Sequence, residues 1–199
     1  MKHSLFIAFF LCLGSFASAQ QLTSPDGNLS LEFMEQADGV PTYRLDYKGK
    51  PVLTSGRLGL LTEEADLTRG FKQTNLERAS VDNYWNPVWG EYNRVRNHYN
   101  EMAVNLTNED HVQLTLRFRV FDDGIGFRYE YTVPTVDSLL ITDELTTFRF
   151  HRDGTSWSIP ASAETYELLY QQQPISEVET ANTPFTFKTA DGVYGSIHE

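Results

Sequence analysis

The sequence VQLTLRFRVFDDGIGFRYEYTV spans residues 112–133 and alternates apolar with polar side chains along two arms. Such alternation predicts strands with one buried side, because successive side chains of a strand point to opposite faces. Asp122-Asp123-Gly124 separates the arms, and we expect Asp-Gly to supply the positive φ angles of a tight reversal. Apolar faces of this size need a second sheet or a helix to cover them, which favours a β-sandwich. The apolar positions are Val112, Leu114, Leu116, Phe118, Val120, Ile125, Phe127, Tyr129, Tyr131 and Val133.

Other segments have the spacing and the Gly, Pro, Asn and Asp punctuation of an all-β protein. Residues 62–79 are more polar, with 63–67 as a modest helical candidate, and residues 153–183 read as irregular. The pattern predicts an antiparallel all-β sandwich with few or no long helices. The predicted further strands are residues 29–33, 43–47, 52–53, 55–61, 138–142, 146–150, 184–189 and 193–197.

The first 19 residues have the pattern of a secretory signal peptide. A basic start, Met1-Lys2-His3, precedes an apolar run over residues 5–13 and the small-residue site Ala17-Ser18-Ala19. A membrane span needs about 20 apolar residues, and this run is shorter. We therefore expect cleavage after Ala19, export to the periplasm or beyond the cell, and a mature domain over residues 20–199.

Cysteine usage and charge exclude several function classes. Cys12, the single cysteine, lies in the leader, so the mature chain has no disulfide, thiol nucleophile or cysteine metal site. The formal charge is −11, from 16 basic and 27 acidic residues. Such a surface repels nucleic acid and anionic lipid, so we expect neither nucleic acid nor membrane as a partner.

Residues 85–101 hold the densest set of candidate binding groups. Two tryptophans, two tyrosines, two arginines, a histidine and two glutamates fall within 17 residues. Sugar pockets combine flat apolar faces with planar amide, carboxylate and guanidinium groups. The alternative is that the aromatic side chains seal a core edge or a domain seam while the charged groups pair with one another.

Two simpler catalytic patterns are not indicated. Asp122-Asp123 precedes a glycine at a hairpin tip, where turn chemistry explains both carboxylates. The histidines of the mature chain are far apart, and none is placed at i, i+4, so a His-rich metal site is not predicted. These histidines are His98, His111, His151 and His198.

Several blocks, in order along the chain, resemble the amino-terminal domain of glycoside hydrolase family 97. The longest of them is Arg119-Val120-Phe121-Asp122-Asp123-Gly124-Ile125-Gly126-Phe127-Arg128-Tyr129. The resemblance extends over nearly all of the mature chain. The other blocks are Ser24-Pro25-Asp26-Gly27, Val88-Trp89-Gly90-Glu91-Tyr92, Arg96-Asn97-His98-Tyr99-Asn100-Glu101, Ile141-Thr142-Asp143-Glu144-Leu145 and Ser196-Ile197-His198-Glu199.

The resemblance implies a β-super-sandwich that leads into a catalytic (β/α)₈ barrel. Family members are exported bacterial α-glucosidases or α-galactosidases that act on α-linked oligosaccharides, with a calcium ion beside the active site. The barrel supplies the catalytic carboxylates, so this chain is expected to be truncated before them and inactive alone. In the family a His-Glu step of the sandwich provides one calcium ligand, which corresponds to Glu199. Candidates for the substrate pocket or barrel interface are Trp85, Trp89, Glu91, Arg96, Asn97, His98 and Trp157.

Two other functions remain open at this point. One is a free-standing carbohydrate-binding sandwich that uses Trp85, Trp89 or Trp157 as a stacking platform. The other is a structural sandwich without a ligand. Binding of sugar or calcium by the chain distinguishes them.

Overall fold

The computed structural model describes residues 19–134 and 136–198 and contains 15 strands. Helical structure within these residues is confined to the single 3₁₀ turn Ile175–Glu177. The predicted all-β architecture with few or no long helices is confirmed. In this part of the chain no helix has the length and hydropathy that crossing a bilayer requires. Residues 1–18 of the predicted leader, and Glu199, lie outside the described residues.

The first sheet has four antiparallel strands in sequential order, and it confirms the strands predicted at 29–33 and 43–47. A two-residue turn joins its third and fourth strands, in which Lys48 and Gly49 have φ of 51° and 73°. Both values are left-handed, as the turns that match strand twist require. The strands are β1 (Gln20–Thr23), β2 (Leu29–Glu35), β3 (Pro41–Tyr47) and β4 (Lys50–Arg57).

The second sheet contains the predicted hairpin, which is confirmed from Ile125 opposite Val120 to Thr132 opposite Gln113. The backbone of its turn was predicted wrongly, since neither Asp123 nor Gly124 has a positive φ. The Phe121 N–H donates to Gly124 O over 2.8 Å, so the reversal between these two residues is made by Asp122 and Asp123 without a left-handed residue. The strands, in spatial order, are β10 (Ile125–Thr132), β9 (Gln113–Phe121), β8 (Val95–Thr107) and β7 (Lys72–Trp85).

The core lies between these two sheets. Phe33 of β2 meets Phe118 of β9 with ring centroids 6.2 Å apart, and Tyr43 of β3 meets Phe127 of β10 at 6.0 Å. Alternate residues of β9 are completely buried, as the alternation predicted. Burial of large apolar side chains is the main stabilising contribution, at about 25 cal/mol per Å².

Two smaller sheets complete the described chain. The strand predicted at 184–189 is confirmed as β14 and that at 193–197 as β15. Residues 146–150 are extended and hydrogen-bond along β4, for example through the Thr54 N–H to Arg149 O at 2.8 Å, although they form no regular strand. The strands are β11 (Ile141–Glu144), β5 (Leu60–Thr62) and β6 (Asp66–Leu67) in one sheet, and β13 (Gln171–Pro174), β12 (Gly154–Ser158), β14 (Phe185–Thr189) and β15 (Tyr194–Ile197) in the other.

Two local predictions were wrong. Residues 63–67 are not helical, since β6 begins at Asp66, and the polar stretch 62–79 runs into β7, whose 14 residues make it the longest described strand. β7 is an edge strand with mostly exposed side chains, so its sequence lacks the apolar alternation by which strands are recognised. Residues 153–183, read as irregular, contain β12 and β13, which are short and rich in Ser and Gln.

Candidate functional site

A two-stranded ribbon projects beyond the rest of the second sheet. β8 pairs with β9 only from Tyr99 onward, whereas its pairing with β7 continues from Asp82 opposite His98 to Trp85 opposite Val95. Residues 86–94 connect the two strands at the tip. We call residues 82–98 the aromatic arm.

Large apolar side chains of the aromatic arm face solvent. The exposed fraction is 54% for Trp85, 88% for Trp89 and 70% for Tyr92. The Arg94 guanidinium lies over the Tyr84 ring, 3.8 Å from its centroid, which holds that ring by a cation–π contact. The arm therefore presents flat apolar surface outside the core, so its aromatic side chains do not seal a core edge in the described residues.

Arg96 of the arm pairs with Asp82 on the neighbouring strand, whereas the described residues contain no ion pair between two charged groups of residues 85–101, which the alternative interpretation expected. The Asp82 carboxylate accepts two hydrogen bonds of 2.8 Å, from Nε and Nη2 of Arg96. These bonds hold the pKa of Asp82 below its ordinary value. The Asn97 side-chain amide donates to Asn83 Oδ1 over 3.2 Å. The ribbon is thus fastened by polar contacts across its two strands.

Asp122 connects the hairpin tip to both the arm and the amino-terminal turn. Its Oδ1 accepts the Asp26 backbone N–H at 2.8 Å, and its Oδ2 lies 3.8 Å from Nδ1 of half-buried His98. Asp26 in turn accepts the Asn28 backbone N–H at 2.9 Å. The turn role predicted for Asp122 agrees with this geometry, because its carboxylate links the hairpin tip to the amino-terminal turn.

A network of charges covers the outer face of the second sheet beneath the arm. Arg117 donates to Glu101 Oε1 and to Glu130 Oε1, each over 2.8 Å, and Arg119 donates to Glu101 Oε2 over 2.7 Å. The bonds from Arg117, assisted by Arg128, lower the pKa of Glu130 to about 2. Burial raises the pKa of Glu101, but the bonds from Arg119 and Arg117 outweigh it, so this pKa also lies below its usual value. Both carboxylates are therefore ionised at neutral pH and hold adjacent strands together.

A second candidate site is a cleft of about 1290 Å³ beside the hairpin. We call it the apolar cleft; it lies among β10, the first sheet, Phe187 of β14 and the whole of β15. Tyr129 lines it, and the hydroxyl of this residue accepts the Gly59 backbone N–H at 3.2 Å. Burial raises the pKa of Tyr129. The apolar side chains along the cleft include Leu45, Leu53, Ile125, Phe127, Phe148, Phe187, Val193 and Ile197.

The family model for the N-terminal domain of glycosyl hydrolase 97 matches residues 22–199. The chain belongs to glycoside hydrolase family 97. The resemblance stated from the sequence blocks is thereby confirmed.

Solved structures share the fold of this family 97 domain. Two structures of a family 97 enzyme from a Pseudoalteromonas species, one in complex with panose and one with acarbose, superpose with a TM-score of 0.82 at 35% identity. The match covers 90% of this chain and 28% of theirs. A β-arabinopyranosidase structure superposes with a TM-score of 0.80 at 26% identity, over 90% of this chain and 31% of that one.

Two curated proteins also match this chain in sequence. A probable retaining α-galactosidase of Streptomyces bingchenggensis is 27% identical over 89% of this chain and 27% of its own length. A retaining α-galactosidase of Bacteroides thetaiotaomicron is 27% identical over 64% of this chain and 19% of its own. The family 97 domain described here thus spans about a quarter or less of the curated relatives.

The structure brings together six of the eight residues that the sequence singled out. Trp157 is half-buried on β12, in a different sheet, opposite Gln172 and Thr186. Glu199 lies outside the described residues. The six residues of the aromatic arm are Trp85, Trp89, Glu91, Arg96, Asn97 and His98.

The described residues contain no cluster of metal-binding side chains that would indicate a calcium site. Calcium takes six to eight oxygen ligands, usually from several segments. Within residues 19–134 and 136–198 no group of three or more His, Cys, Asp or Glu side chains is placed to hold a metal ion.

The apolar cleft was missed by the sequence interpretation. Alternation at Ile125, Phe127 and Tyr129 predicted a buried face, and these side chains are only partly buried. The pattern does not reveal incomplete cover, because it reports which face is apolar and not what packs on it. No local signal could have located the cleft.

Proposed function

We propose that this chain is the amino-terminal, non-catalytic domain of an exo-acting α-glycosidase, an α-glucosidase or α-galactosidase. It would support an active site carried by a separate (β/α)₈ barrel. One observation carries the proposal: the family match extends over residues 22–199, yet the chain covers only 27–28% of relatives such as the α-galactosidase and the panose-bound enzyme. Such a share leaves most of an enzyme of that size to another part of the polypeptide.

The chemistry of glycoside hydrolysis supports a non-catalytic role. Two carboxyl groups must flank the scissile bond, roughly 5–5.5 Å apart in retaining enzymes and 6.5–9.5 Å apart in inverting ones. The adjacent carboxylates Asp122 and Asp123 lie in a turn, where Asp122 accepts the Asp26 N–H. The catalytic carboxylates are therefore assigned to the barrel, and the isolated chain is expected to be inactive.

The aromatic arm is the part of the chain proposed to face the barrel or its substrate. Panose and acarbose are bound in the solved relatives, and both are saccharide-like ligands that aromatic rings can stack against. Trp89 at the arm's tip is the most exposed tryptophan of the described chain. An α-linked oligosaccharide is the proposed substrate of the complete enzyme.

Calcium is proposed as the cofactor of that enzyme, with Glu199 supplying one carboxylate ligand. The remaining oxygen ligands would come from the barrel, consistent with the lack of a metal cluster in the described residues. A calcium ion would add fixed positive charge beside the sugar site. We also propose export to the periplasm or medium after cleavage following Ala19; amino-terminal sequencing of the exported protein should begin at Gln20.

A chimera tests the proposed function. Residues 20–199 would replace the matching region of the Pseudoalteromonas family 97 enzyme, and hydrolysis of 4-nitrophenyl α-glucoside and α-galactoside would be compared with that by the chain alone. We expect turnover only from the chimera. Turnover by the chain alone would refute the non-catalytic role, and a folded but inactive chimera would refute the supporting role.

The calcium proposal has its own control. In the chimera, Glu199→Gln should weaken both the calcium dependence of activity and the rise in melting temperature on adding calcium. Glu164→Gln removes an equivalent carboxylate from an exposed loop and should change neither. Equal behaviour of the two variants would exclude Glu199 as a ligand.

A free-standing carbohydrate-binding module is the second candidate function. It is favoured by the 88% exposure of Trp89, because an exposed indole can stack on a sugar ring without help from another domain. Titration with maltose or melibiose should then quench the tryptophan fluorescence, and Trp89→Phe should reduce the change. A flat titration eliminates this candidate.

A further inference from the structure

The longest described strand, β7, has an edge that no described strand covers. Its 14 residues pair with β8 on one side, and no strand within residues 19–134 and 136–198 pairs with the other side. The strand contains no proline. At its start the Gln73 N–H donates to Glu35 Oε2 over 2.8 Å, so this amide is already bound. A long open edge is a ready template for pairing with another strand, because it presents a row of backbone donors and acceptors.

The charges of β7 are arranged symmetrically about Ser80. Arg78 and Asp82 lie two residues before and after it, so all three side chains point to the same face of the strand. Charges on an open edge prevent pairing when like charges meet. In an antiparallel pair of two β7 strands centred on Ser80, Arg78 of each copy instead lies opposite Asp82 of the other. The two-fold symmetry of such a pair therefore produces two favourable cross-strand charge pairs.

The same register also matches apolar side chains. Leu76 of one copy lies opposite Tyr84 of the other, and Tyr84 is 51% exposed in the single chain, so pairing removes apolar surface from water. A register centred on Glu77 would place two glutamate side chains directly opposite each other, which is destabilising. The side chains of β7 therefore favour the register centred on Ser80.

Arg78 and Asp82 can both make the additional contact. Arg78 is exposed, and its Nη1 donates to Gln21 O over 2.6 Å. It forms no ion pair within the part of the chain that the structure describes. Asp82 accepts two hydrogen bonds from Arg96, but a carboxylate has about four acceptor positions, so it can accept further bonds. Pairing with a second copy would give the Arg78 guanidinium a carboxylate partner.

We propose that two copies of this chain associate through β7, by antiparallel pairing of residues 75–85 about a two-fold axis at Ser80. The second sheets of the two copies then form one continuous sheet across the contact. Trp89 and Tyr92 lie beyond the paired residues, at the tip of the aromatic arm, so the dimer leaves them available to the barrel or its substrate.

Sedimentation of the exported protein, in the form that the cell produces, tests the proposal. We expect a monomer–dimer equilibrium that depends on protein concentration. Arg78→Glu should raise the dissociation constant of the dimer roughly tenfold or more, because two attractive charge pairs become repulsive. Lys72→Glu makes the same charge change on the same strand outside the paired residues, and it should have little effect. A protein that sediments as a monomer at every concentration, or equal effects of the two variants, would overturn the proposal.

Single cysteines test the register. Ser80→Cys should yield a disulfide-linked dimer on oxidation with copper phenanthroline, which the unsubstituted protein should not. Directly opposed residues of an antiparallel pair have Cα atoms about 4.5–5.5 Å apart, within the range that a disulfide spans. Glu77→Cys, at an exposed position of the same strand, should not cross-link, because the two copies of this position lie roughly 20 Å apart along the pair. Cross-linking through position 77 alone, or equally through both, would contradict the proposed contact.

Hydrogen exchange of the unsubstituted protein decides the question if a variant does not fold. Alternate amides of residues 75–85 should exchange roughly tenfold more slowly at high than at low protein concentration, because alternate residues of β7 direct their N–H groups toward the open edge. The amides of β10, which is also an edge strand, should not change. A dimer in which the β7 amides gain no protection, or in which β10 or β15 is protected instead, would overturn the proposal.

Discussion

The aromatic arm and the apolar cleft both expose apolar side chains, but they do so in different ways. Trp89 in the arm is 88% exposed and is carried by a ribbon fastened by the Arg96–Asp82 pair. Phe127 in the cleft is partly buried and contacts Tyr43, Phe118 and Tyr129 at ring-centroid distances of 6.0–6.1 Å. The arm projects beyond the two packed sheets, whereas the cleft lies among elements of the sandwich itself.

The largest expected difference between the two regions is in stability. Phe127→Ala should lower the free energy of unfolding by about 3 kcal/mol, because it removes a ring packed between the two sheets. Trp89→Ala should change it by less than about 0.5 kcal/mol, as is usual for surface substitutions. Urea denaturation measures the free energy of unfolding of both variants. Equal losses would show that the arm and the cleft do not differ in their contribution to stability.

A smaller loss is expected from the polar wall of the cleft. Tyr129→Phe removes the hydroxyl that accepts the Gly59 N–H at 3.2 Å and contacts Thr146. The cost should be about 1 kcal/mol, since a hydrogen bond is lost and a partly buried donor is left without it. Urea unfolding measures this loss. The control is Tyr92→Phe on the exposed arm, which should leave the free energy of unfolding unchanged.

The charge network beneath the arm should make stability depend on pH. The pKa of Glu130 is about 2 in the folded chain and lies below its unfolded value, so its contribution is complete above the unfolded pKa and is lost as pH falls toward 2. The stability difference between the wild-type chain and Glu130→Gln should therefore be constant above about pH 5 and vanish near pH 2. A difference that does not vary with pH would show that Arg117 does not hold this carboxylate in solution.

The smallest effect is expected within the arm itself. Arg96→Gln should raise the pKa of Asp82 toward its ordinary value, because the two hydrogen bonds from the guanidinium are lost. Carbon-detected NMR titration of the Asp82 carboxylate measures this, with Asp153 as an internal reference whose pKa is lowered by Ser176 and should not move. An unchanged Asp82 pKa would mean that the ribbon is not fastened by this pair.

Strong alternation made the central hairpin, the strands at 29–33 and 43–47, and the all-β class predictable. Edge strand β7 escaped prediction because both of its faces are largely solvated, so selection for apolar alternation is absent there. The arm was recognised as a candidate from its composition, and six of the candidate residues lie on this one ribbon. Trp157 did not join them, since β12 lies in a sheet whose position depends on contacts far apart in the chain.

The order of residues alone established which face of each strand is apolar and where the main hairpin reverses, because these properties are local. The family was indicated by the resemblance of several sequence blocks. Three-dimensional packing was needed to learn which apolar faces are covered. Leu116 and Phe127 occupy equivalent positions in an alternating pattern, yet Leu116 is completely buried and Phe127 borders an open cleft. Burial depends on which strands, distant in sequence, pack against a face. A local sequence pattern does not specify those strands.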